Sequence, residues 1–330
     1  MKLGIIGSGL IVQEFLPRLI GLDGMEVLAI QGAPGSKQQI EKLCEENNIP
    51  HALIDFEELC QLEIDTVYVA VPNFLHFDYC KKALEKGLNV IVEKPMTSNA
   101  TEAKILKQIA MEKECFLFEA VTTLYFAGYQ KIKEWLPEIG TVKLVKCNYS
   151  QYSRRYDAFR NGEVLPAFDP NKSGGALMDL NLYNLHFVMG LFGKPEEVKY
   201  YANIERGIDT SGTLILNYEG FIAECTAAKD CSAPYSFVIQ GTNGYIKTAF
   251  PPNLIGKITL HKNDGSEKEY DDGMFMNRLI PEFNYFISCI ERNDLEACLK
   301  KLDESITVSE IQTEARLNAG IIFPADQQIF

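Results

Sequence analysis

The chain has 330 residues, of which 46% are hydrophobic, so it is long enough for two packed cores. Its formal net charge of −13 repels polyanions, and no apolar run approaches the length of a membrane span, so neither nucleic acid nor a membrane is an expected partner. The nine cysteines include no Cys-x-x-Cys pair and the four histidines lack metal-ligand spacing, which predicts reduced thiols, a cytoplasmic location and no metal site.

The chain opens with a strand, a tight turn and a helix. The strand covers residues 2–6, and the glycine-containing turn leads directly into the helix. Such a turn places helix N-terminal amides where a pyrophosphate binds. Glycine pairs also occur here for conformational reasons alone, but a position at the start of alternating strands and helices favours the functional interpretation. The predicted cofactor contacts are Gly7, Ser8, Gly9, Leu10 and Ile11.

The second predicted strand, Glu26 to Gln31, leads into a segment without an acidic residue. Enzymes that select NAD commonly place Asp or Glu about 20 residues beyond the glycine turn, where the carboxylate binds the ribose 2′-hydroxyl and repels a 2′-phosphate. Here Ser36 and Lys37 open the next helix, whose positive end favours phosphate. The segment predicts NADP(H) in preference to NAD(H), with Gln31, Ser36 and Lys37 as contacts. The alternative is that Lys37 is merely solvated and either cofactor binds.

The stretch from Val71 to Lys94 has the pattern of a βαβ unit. A strand at 64–71 stops at a proline, an amphipathic helix follows at 75–87, and Asn89 to Val92 is a second buried strand. Ligands bind at the carboxyl ends of parallel strands, so the residues after each strand are predicted cofactor contacts. They are Pro72, Asn73, His76, Glu93 and Lys94. Asn73 has an alternative role as a helix N-cap.

The pattern changes along the chain. Up to Glu119, strands alternate with helices, which predicts a doubly wound parallel sheet. After Thr123, longer strand-like runs separated by turns such as Asn263-Asp264-Gly265 predict a large, mainly antiparallel sheet, and two helices at 283–290 and 303–319 close the chain. The predicted fold is α/β, with a Rossmann domain over residues 1–120 and an α+β domain over residues 121–330.

A second polar cluster lies in the sequence after Gly174-Gly175. If a helix begins near Gly175, Asp179, Tyr183 and His186 follow at spacings of four and three and share one face. The rest of that helix is apolar. Asp179 and Tyr183 also suit a hydrogen-bonded pair in a core, and His186 suits a packing histidine.

These motifs together resemble the glucose-fructose oxidoreductase, inositol dehydrogenase and rhizopine-catabolism (Gfo/Idh/MocA) family of NAD(P)-dependent oxidoreductases. The resemblance runs nearly end to end. Tyr183 stands where many members carry histidine, which is similar to the dihydrodiol dehydrogenase branch. The motifs that carry the resemblance are Gly7-Ser8-Gly9, Val71-Pro72-Asn73 with His76, Glu93-Lys94-Pro95 with Asn99, Gly174-Gly175-Ala176-Leu177-Met178-Asp179 with Tyr183, and Gly320-Ile321-Ile322-Phe323-Pro324-Ala325-Asp326 after Ala315-Arg316.

The resemblance implies that Lys94, Asp179 and Tyr183 are catalytic. Hydride transfer to or from a substrate carbon requires a group that takes and gives the proton of the substrate oxygen. A free phenol, with a pKa of ~10, is a poor base at neutral pH, but a neighbouring ammonium favours the phenolate. Tyr183 is therefore the first choice, and the sequence leaves open whether Tyr183 or Lys94 carries the proton.

The resemblance further implies a sugar, polyol, dihydrodiol or related substrate for an enzyme that acts on CH–OH groups. Arg154 and Arg155 follow a predicted strand and suit an anionic or polyhydroxy substrate, with His186 as a further substrate contact. Two alternatives are a non-catalytic NAD(P)-binding regulator of the same fold and a cofactor-dependent elimination on a sugar. The retention of Lys94, Asp179 and Tyr183 together favours the enzyme.

The second domain is also predicted to mediate assembly. The resemblance implies that the open face of its sheet packs on a second subunit. An apolar strand such as Tyr235 to Gln240 is also costly to leave in water. A homodimer or a homotetramer through the C-terminal sheet is the expectation.

Overall fold

The computed structural model describes residues 1–271, 273 and 277–328. The chain forms two compact units. Unit 1 consists of Met1–Ala120 together with Leu279–Ile306, and unit 2 consists of Val121–Arg278 together with the chain from Thr307 onward. The division is thus not one cut in the sequence, because a helical segment near the C-terminus belongs to the first unit.

Aromatic packing explains why that segment belongs to unit 1. Phe283 packs edge-on against Tyr68 of the parallel sheet, with ring centroids 5.4 Å apart. Phe286 stacks on Phe118 at 4.6 Å. Both phenylalanines are fully buried, so each removes a large apolar surface from water.

Unit 1 contains a parallel sheet whose described strands number six, in the order β3-β2-β1-β4-β5-β6. The order reverses between β1 and β4, and in such sheets ligands bind beyond the carboxyl ends of the strands at that point. The strands are β1 Lys2–Ile6, β2 Glu26–Gln31, β3 His51–Leu53, β4 Thr66–Val69, β5 Asn89–Glu93 and β6 Leu117–Ala120. The helices are α1 Leu10–Leu19, α2 Lys37–Glu46, α3 Phe56–Cys60, α4 His76–Glu85, α5 Ala100–Glu112 and, later in the chain, α9 Ile280–Glu291.

Unit 2 contains a sheet of eight strands within the described residues, in the order β14-β13-β12-β11-β7-β10-β9-β8. Its pairings are antiparallel except for β10 with β7. The strands are β7 Val142–Ser150, β8 Glu197–Glu205, β9 Ile208–Tyr218, β10 Phe221–Ala228, β11 Ser236–Gly241, β12 Gly244–Thr248, β13 Ile258–Lys262 and β14 Glu267–Tyr270. The helices are α6 Ala127–Trp135, α7 Arg154–Arg160 and α8 Leu182–Phe192.

A parallel Rossmann sheet followed by a mainly antiparallel sheet confirms the predicted fold class. The core of unit 2 lies on one face of its sheet, where Val145, Cys147, Leu214 and Cys225 pack against helix residues such as Phe187. Side chains alternate along each strand, so the opposite face carries the intervening residues.

The last helix, α10, spans Leu295–Asn318 and is divided between the two units after Ile306. The sequence pattern predicted a shorter helix that began at Asp303. That start was wrong. The helix begins at Leu295, eight residues before Asp303, because Asp294 caps it there: the Asp294 carboxylate accepts a hydrogen bond from the Ala297 amide at 3.1 Å. The cap supplies the signal for the true beginning.

Candidate active site

The glycine turn of unit 1 has the geometry of an anion-binding loop. Gly7 has φ of +117°, and a Cβ there would lie 2.3 Å from the carbonyl oxygen of Ala70, so only glycine fits. Gly9 is the N-cap of α1 with no side-chain cap, and a Cβ there would meet nothing within 4 Å. Leu10 is 70% exposed. The first amides of α1 thus face open space at the positive end of a helix, which fits a diphosphate.

Two glutamines brace this turn. The Nε2 groups of Gln13 and Gln39 both donate to the carbonyl oxygen of Ser8, at 2.9 and 2.6 Å. Gln39 belongs to α2, so the bond ties the glycine turn to the helix that follows β2. The sequence reasoning missed both residues, since glutamine on the exposed side of a helix carries no distinctive signal.

The segment after β2 presents no carboxylate between residues 31 and 37. Gln31 is buried, and its Nε2 donates to the carbonyl oxygen of Gly32 at 3.0 Å, so its amide is turned into the protein. Ser36 is the N-cap of α2 but makes no side-chain cap, since its hydroxyl donates to Ala33. The Lys37 side chain is 63% exposed and 3.8 Å from Glu41. The first turn of α2 thus has no side-chain cap and carries an exposed ammonium.

The loop after β4 is held by His76. Its Nδ1 and Nε2 lie 2.8 Å from the carbonyl oxygens of Pro95 and Val71 respectively, and the ring is fully buried. The pKa of His76 is lowered, because the effect of burial exceeds the opposite effect of the two carbonyl contacts, which raise it. The imidazole therefore joins the loops after β4 and β5 and does not face solvent. The N-cap of α4 is Leu75, and Asn73 opens the 3₁₀ turn Asn73–Leu75 that leads into that helix.

Lys94 directly follows β5, at the carboxyl end of the parallel sheet. Its neighbour Glu93 accepts a hydrogen bond from the hydroxyl of Tyr68 on the adjacent strand. On the other side of the loop, the Met96 amide donates to the buried carboxylate of Glu119 at 2.8 Å. Lys94 itself is half-buried. The lysine thus extends from a loop that is fixed on both sides.

The second polar cluster begins with a buried cap in unit 2. The carboxylate of Asp209, from β9, accepts from the Leu177 amide at 2.6 Å and from the Tyr200 hydroxyl at 2.7 Å. Gly175 has φ of +106°, and a Cβ there would lie 2.1 Å from Asp209 Oδ1. The glycine of the Gly-Gly motif is therefore required by the carboxylate beside it. Burial raises the pKa of Asp209 to about 6.

The helix expected from Gly175 begins differently from the prediction. Leu177–Asn181 forms one π-helical turn, and the α-helix α8 starts only at Leu182. The wider turn changes the angular relation between Asp179 and Tyr183 from that of the α-helical spacing used above. Two buried amide side chains hold this region on β10, because Asn181 donates to the Cys225 carbonyl at 2.9 Å and Asn184 to the Thr226 carbonyl at 3.0 Å.

Asp179 forms an ion pair with a lysine that the sequence reasoning did not identify. Lys229 Nζ lies 2.7 Å from Asp179 Oδ2, and the exposed fractions of the two side chains are 3% and 35%. Lys229 also donates to the Ala167 carbonyl at 3.1 Å, and its Nζ is 5.1 Å from the centroid of the Phe168 ring. In the sequence, Lys229 stands at a strand end beside Asp230, where charged residues are usually solvated.

Tyr183 is 6% exposed and lies in an aromatic cluster. Its ring centroid is 6.0 Å from that of Tyr149, which in turn packs edge-on against Tyr235 at 5.6 Å. His186 is buried, in keeping with the packing role considered for it. The predicted substrate contacts Arg154 and Arg155 open α7 and are exposed.

In residues 1–271, 273 and 277–328, no three His, Cys, Asp or Glu side chains are grouped so that they could hold a metal ion. No helix in the same residues has the length and apolar character needed to cross a membrane. All nine cysteines lie in the described part of the chain, and each is a free thiol.

Comparison with known proteins gives consistent matches over the whole chain. Residues 1–121 match the model described as "Oxidoreductase family, NAD-binding Rossmann fold", and residues 129–247 match the model of the GFO/IDH/MocA C-terminal domain. The chain is 33% identical to scyllo-inositol 2-dehydrogenase (NADP(+)) of Bacillus subtilis, with 99% of each chain covered. It is 26% identical to trans-1,2-dihydrobenzene-1,2-diol dehydrogenase of Mus musculus, again over 99% of both.

A solved structure shows the same fold. The 3-ketoreductase KijD10 of Actinomadura kijaniata, in complex with NADP and TDP-benzene, has a TM-score of 0.79 at 19% identity. The match covers 96% of this chain and 97% of that one.

Proposed function

The chain belongs to the Gfo/Idh/MocA family of NAD(P)-dependent oxidoreductases, and from this premise we propose that it interconverts a hydroxyl and a carbonyl group on a sugar, polyol, dihydrodiol or related small molecule. The observation that carries the proposal is Lys94, a half-buried lysine fixed at the carboxyl edge of the sheet that also bears the glycine turn. The named relatives, which act on an inositol and a dihydrodiol, support this substrate class.

We assign the reacting groups as follows. Lys94 of unit 1 and Asp179 and Tyr183 of unit 2 are the proposed catalytic residues, each acting on the substrate oxygen. In the oxidative direction, the C–H hydride leaves the carbinol carbon while the O–H proton passes to Tyr183 or Lys94, which leaves a carbonyl. The glycine turn of unit 1 would hold the nicotinamide cofactor, which would supply the hydride-accepting and hydride-donating chemistry of the reaction. Asp179 orients the substrate hydroxyl, and Arg154 and Arg155 contact polar groups of the substrate.

A substrate screen tests this function. Purified protein is incubated with NADP⁺ or NADPH and a panel of aldoses, polyols, inositols and vicinal diketones, and nicotinamide absorbance is followed. Turnover of at least one class is expected. Tight cofactor binding with no turnover of any class would instead support a non-catalytic regulator.

We also propose that the cofactor is NADP(H) in preference to NAD(H). Three features support this choice: the first turn of α2 has no side-chain cap, Lys37 is exposed, and residues 31–37 include no carboxylate. A carboxylate there would repel the 2′-phosphate, whereas helix amides and an ammonium bind it. The name of the Bacillus relative, which specifies NADP(+), supports the same choice. Buried Gln31 shapes this segment without presenting its amide to solvent.

Changing Lys37 to Ala is expected to raise the dissociation constant for NADPH about tenfold and to leave that for NADH unchanged, since only NADPH carries the 2′-phosphate. Fluorescence titration of the apoprotein measures both constants. Lys42→Ala is the matched control, because Lys42 lies on the same helix in a similar exposed pair with Glu46 at 3.6 Å. Tighter binding of NADH than of NADPH by the unaltered protein would contradict the cofactor assignment.

We further propose a homodimer or homotetramer built on the open face of the unit 2 sheet, in a cytoplasmic enzyme. Ile222 and Leu144 are partners on adjacent strands of that face and are 45% and 39% exposed. Tyr201, on the edge strand, is 65% exposed. Apolar side chains grouped in this way favour burial by another subunit. The free thiols support a reducing compartment.

Replacing Ile222 by Glu is expected to convert the oligomer to a monomer, because a carboxylate on this face would be desolvated in the interface. Light scattering at micromolar concentration measures the mass. Met111→Glu is the control, since Met111 is 51% exposed but lies on α5 of unit 1. A monomeric unaltered protein at that concentration would refute assembly.

A further inference from the structure

Lys229 is a buried lysine whose ammonium is directed at Asp179. Its Nζ has three contacts within unit 2, namely the Asp179 carboxylate at 2.7 Å, the Ala167 carbonyl at 3.1 Å and the face of the Phe168 ring at 5.1 Å. The side chain is 3% exposed. Two of these contacts come from the adjacent residues Ala167 and Phe168 and the third comes from Asp179, and together they fix the position of the charge.

The burial of this charge distinguishes Lys229 from the surface lysines of the same unit. Lys194, for comparison, pairs with Glu310 at 3.0 Å, yet its side chain is 61% exposed. An exposed pair of that kind contributes little, whereas burying an ammonium is costly unless it is paired and hydrogen-bonded. The contacts of Lys229 offset that cost, and its carboxylate partner stands on the π-helical turn that precedes Tyr183. Turns of this type occur frequently at functional sites.

The backbone of Lys229 is also fixed by hydrogen bonds. The Lys229 amide donates to the Thr210 carbonyl at 2.8 Å, and the Lys229 carbonyl accepts from the Ser153 amide at 2.9 Å. Lys229 thus extends the hydrogen-bonded pairing of β10 with β9 by one residue. It also binds Ser153, the N-cap of α7. A side chain on so fixed a backbone can hold its partner in one rotamer.

We propose that Lys229 is a positioning residue for the reaction: it holds the Asp179 carboxylate by Oδ2 in the orientation that the substrate hydroxyl requires. This inference rests on the proposed function, because Asp179 acts on substrate only if the protein is the oxidoreductase described above. Lys229 does not touch the reacting atoms. Lys229 acts through Asp179, so its effect on the turnover number disappears when Asp179 has lost its carboxylate.

The test compares Lys229→Met, Lys229→Arg, Asp179→Asn and the double variant Lys229→Met/Asp179→Asn. Lys229→Met keeps an unbranched side chain that is one atom shorter and removes the charge. The turnover number of this variant is expected to fall about 100-fold, as for a misplaced catalytic group. The dissociation constant for NADPH is expected to stay within about twofold, since the cofactor contacts belong to unit 1. Lys229→Arg restores the ion pair and recovers most of the turnover.

The double variant separates positioning from a general structural role. If Lys229 acts through Asp179, the double variant turns over no more slowly than Asp179→Asn alone, because the effects of coupled residues are not additive. Since Lys229→Met can destabilise the fold, near-ultraviolet circular dichroism and the NADPH titration establish that each variant is folded. If Lys229→Met does not fold, Lys229→Gln takes its place, because glutamine removes the charge but keeps a hydrogen-bond donor for the Ala167 carbonyl. A positioning role predicts the same loss of turnover number in that variant, with an unchanged dissociation constant for NADPH, and unchanged turnover would overturn the inference.

Lys194→Met provides the matched control and is expected to keep full turnover. Turnover of Lys229→Met within about threefold of the unaltered protein would overturn the inference. So would a further 100-fold loss in the double variant relative to Asp179→Asn. An unaltered protein that turns over no substrate would instead overturn the proposed function itself, so the two failures are distinguishable.

Discussion

Replacing Lys94 by Ala, and separately Tyr183 by Phe, is expected to lower the turnover number by about 1,000-fold, within the range that general acid–base groups contribute. Each change removes one group that can exchange a proton with the substrate oxygen or stabilise the charge that develops there. NADPH should bind both variants with dissociation constants close to that of the unaltered protein, because the glycine turn and the first turn of α2 are unchanged. Steady-state kinetics with a substrate from the screen and fluorescence titration measure the two quantities.

The same variants decide which residue carries the proton. If Tyr183 does so, the ionisation that limits the pH–rate profile of the unaltered protein disappears in Tyr183→Phe and persists, shifted, in Lys94→Ala. If Lys94 carries the proton, that ionisation disappears in Lys94→Ala and persists, shifted, in Tyr183→Phe. Tyr129→Phe is the control for loss of a buried hydroxyl, since Tyr129 donates to the Phe187 carbonyl at 3.2 Å within unit 2. Near-normal turnover in both Lys94→Ala and Tyr183→Phe would refute the catalytic assignment.

The sequence was most informative where chemistry restricts the residue type. Gly7 and Gly175 belong to motifs that the sequence singled out, and a Cβ at either position would collide with an oxygen atom. The alternation of strands and helices predicted the parallel sheet, since a 2-residue and a 3.6-residue period are readily distinguished. The family is also confirmed.

The sequence was least informative where function depends on residues far apart in the chain. Lys229 reaches Asp179 across 50 positions and Asp209 reaches Leu177 across 32, and neither pairing has a local pattern. The π-helical turn was missed because its residues have ordinary helical character. His76 was predicted as a cofactor contact from its place after a strand, but only the fold shows that both ring nitrogens are bound to carbonyls.

The buried carboxylate of Asp209, which caps the Leu177–Asn181 turn, makes the stability of the protein depend on pH in a direction opposite to the usual one for a carboxylate. The pKa of Asp209 is raised from 3.8 to about 6, chiefly because the charged form is buried. In the folded state the group therefore binds its proton more tightly than in the unfolded state. Stability from this group is greatest at low pH and falls as pH rises from about 4 to about 6, above which the loss is complete.

Asp264 has a lowered pKa, so its effect on stability depends on pH in the opposite direction, and it provides the control for Asp209. It lies at the surface turn between β13 and β14, where hydrogen bonds from Ser266 lower the pKa of its carboxyl. A group with a lowered pKa stabilises the fold at higher pH and loses that contribution as pH falls. The unaltered protein should therefore gain stability relative to Asp264→Asn as pH rises, whereas it should lose stability relative to Asp209→Asn.

Urea denaturation of Asp209→Asn and of the unaltered protein across this pH range isolates the buried group, because the other carboxylates cancel in the difference. Asparagine can accept from the Leu177 amide and the Tyr200 hydroxyl without carrying a charge. The free energy of unfolding of the unaltered protein, relative to the variant, is expected to fall by about 3 kcal/mol between pH 4 and pH 7, from a pKa difference of about two units. A difference that stays constant over this range, or that grows with pH, would show that the Asp209 carboxylate is not held in a desolvated site. Another group would then have to cap the Leu177 amide.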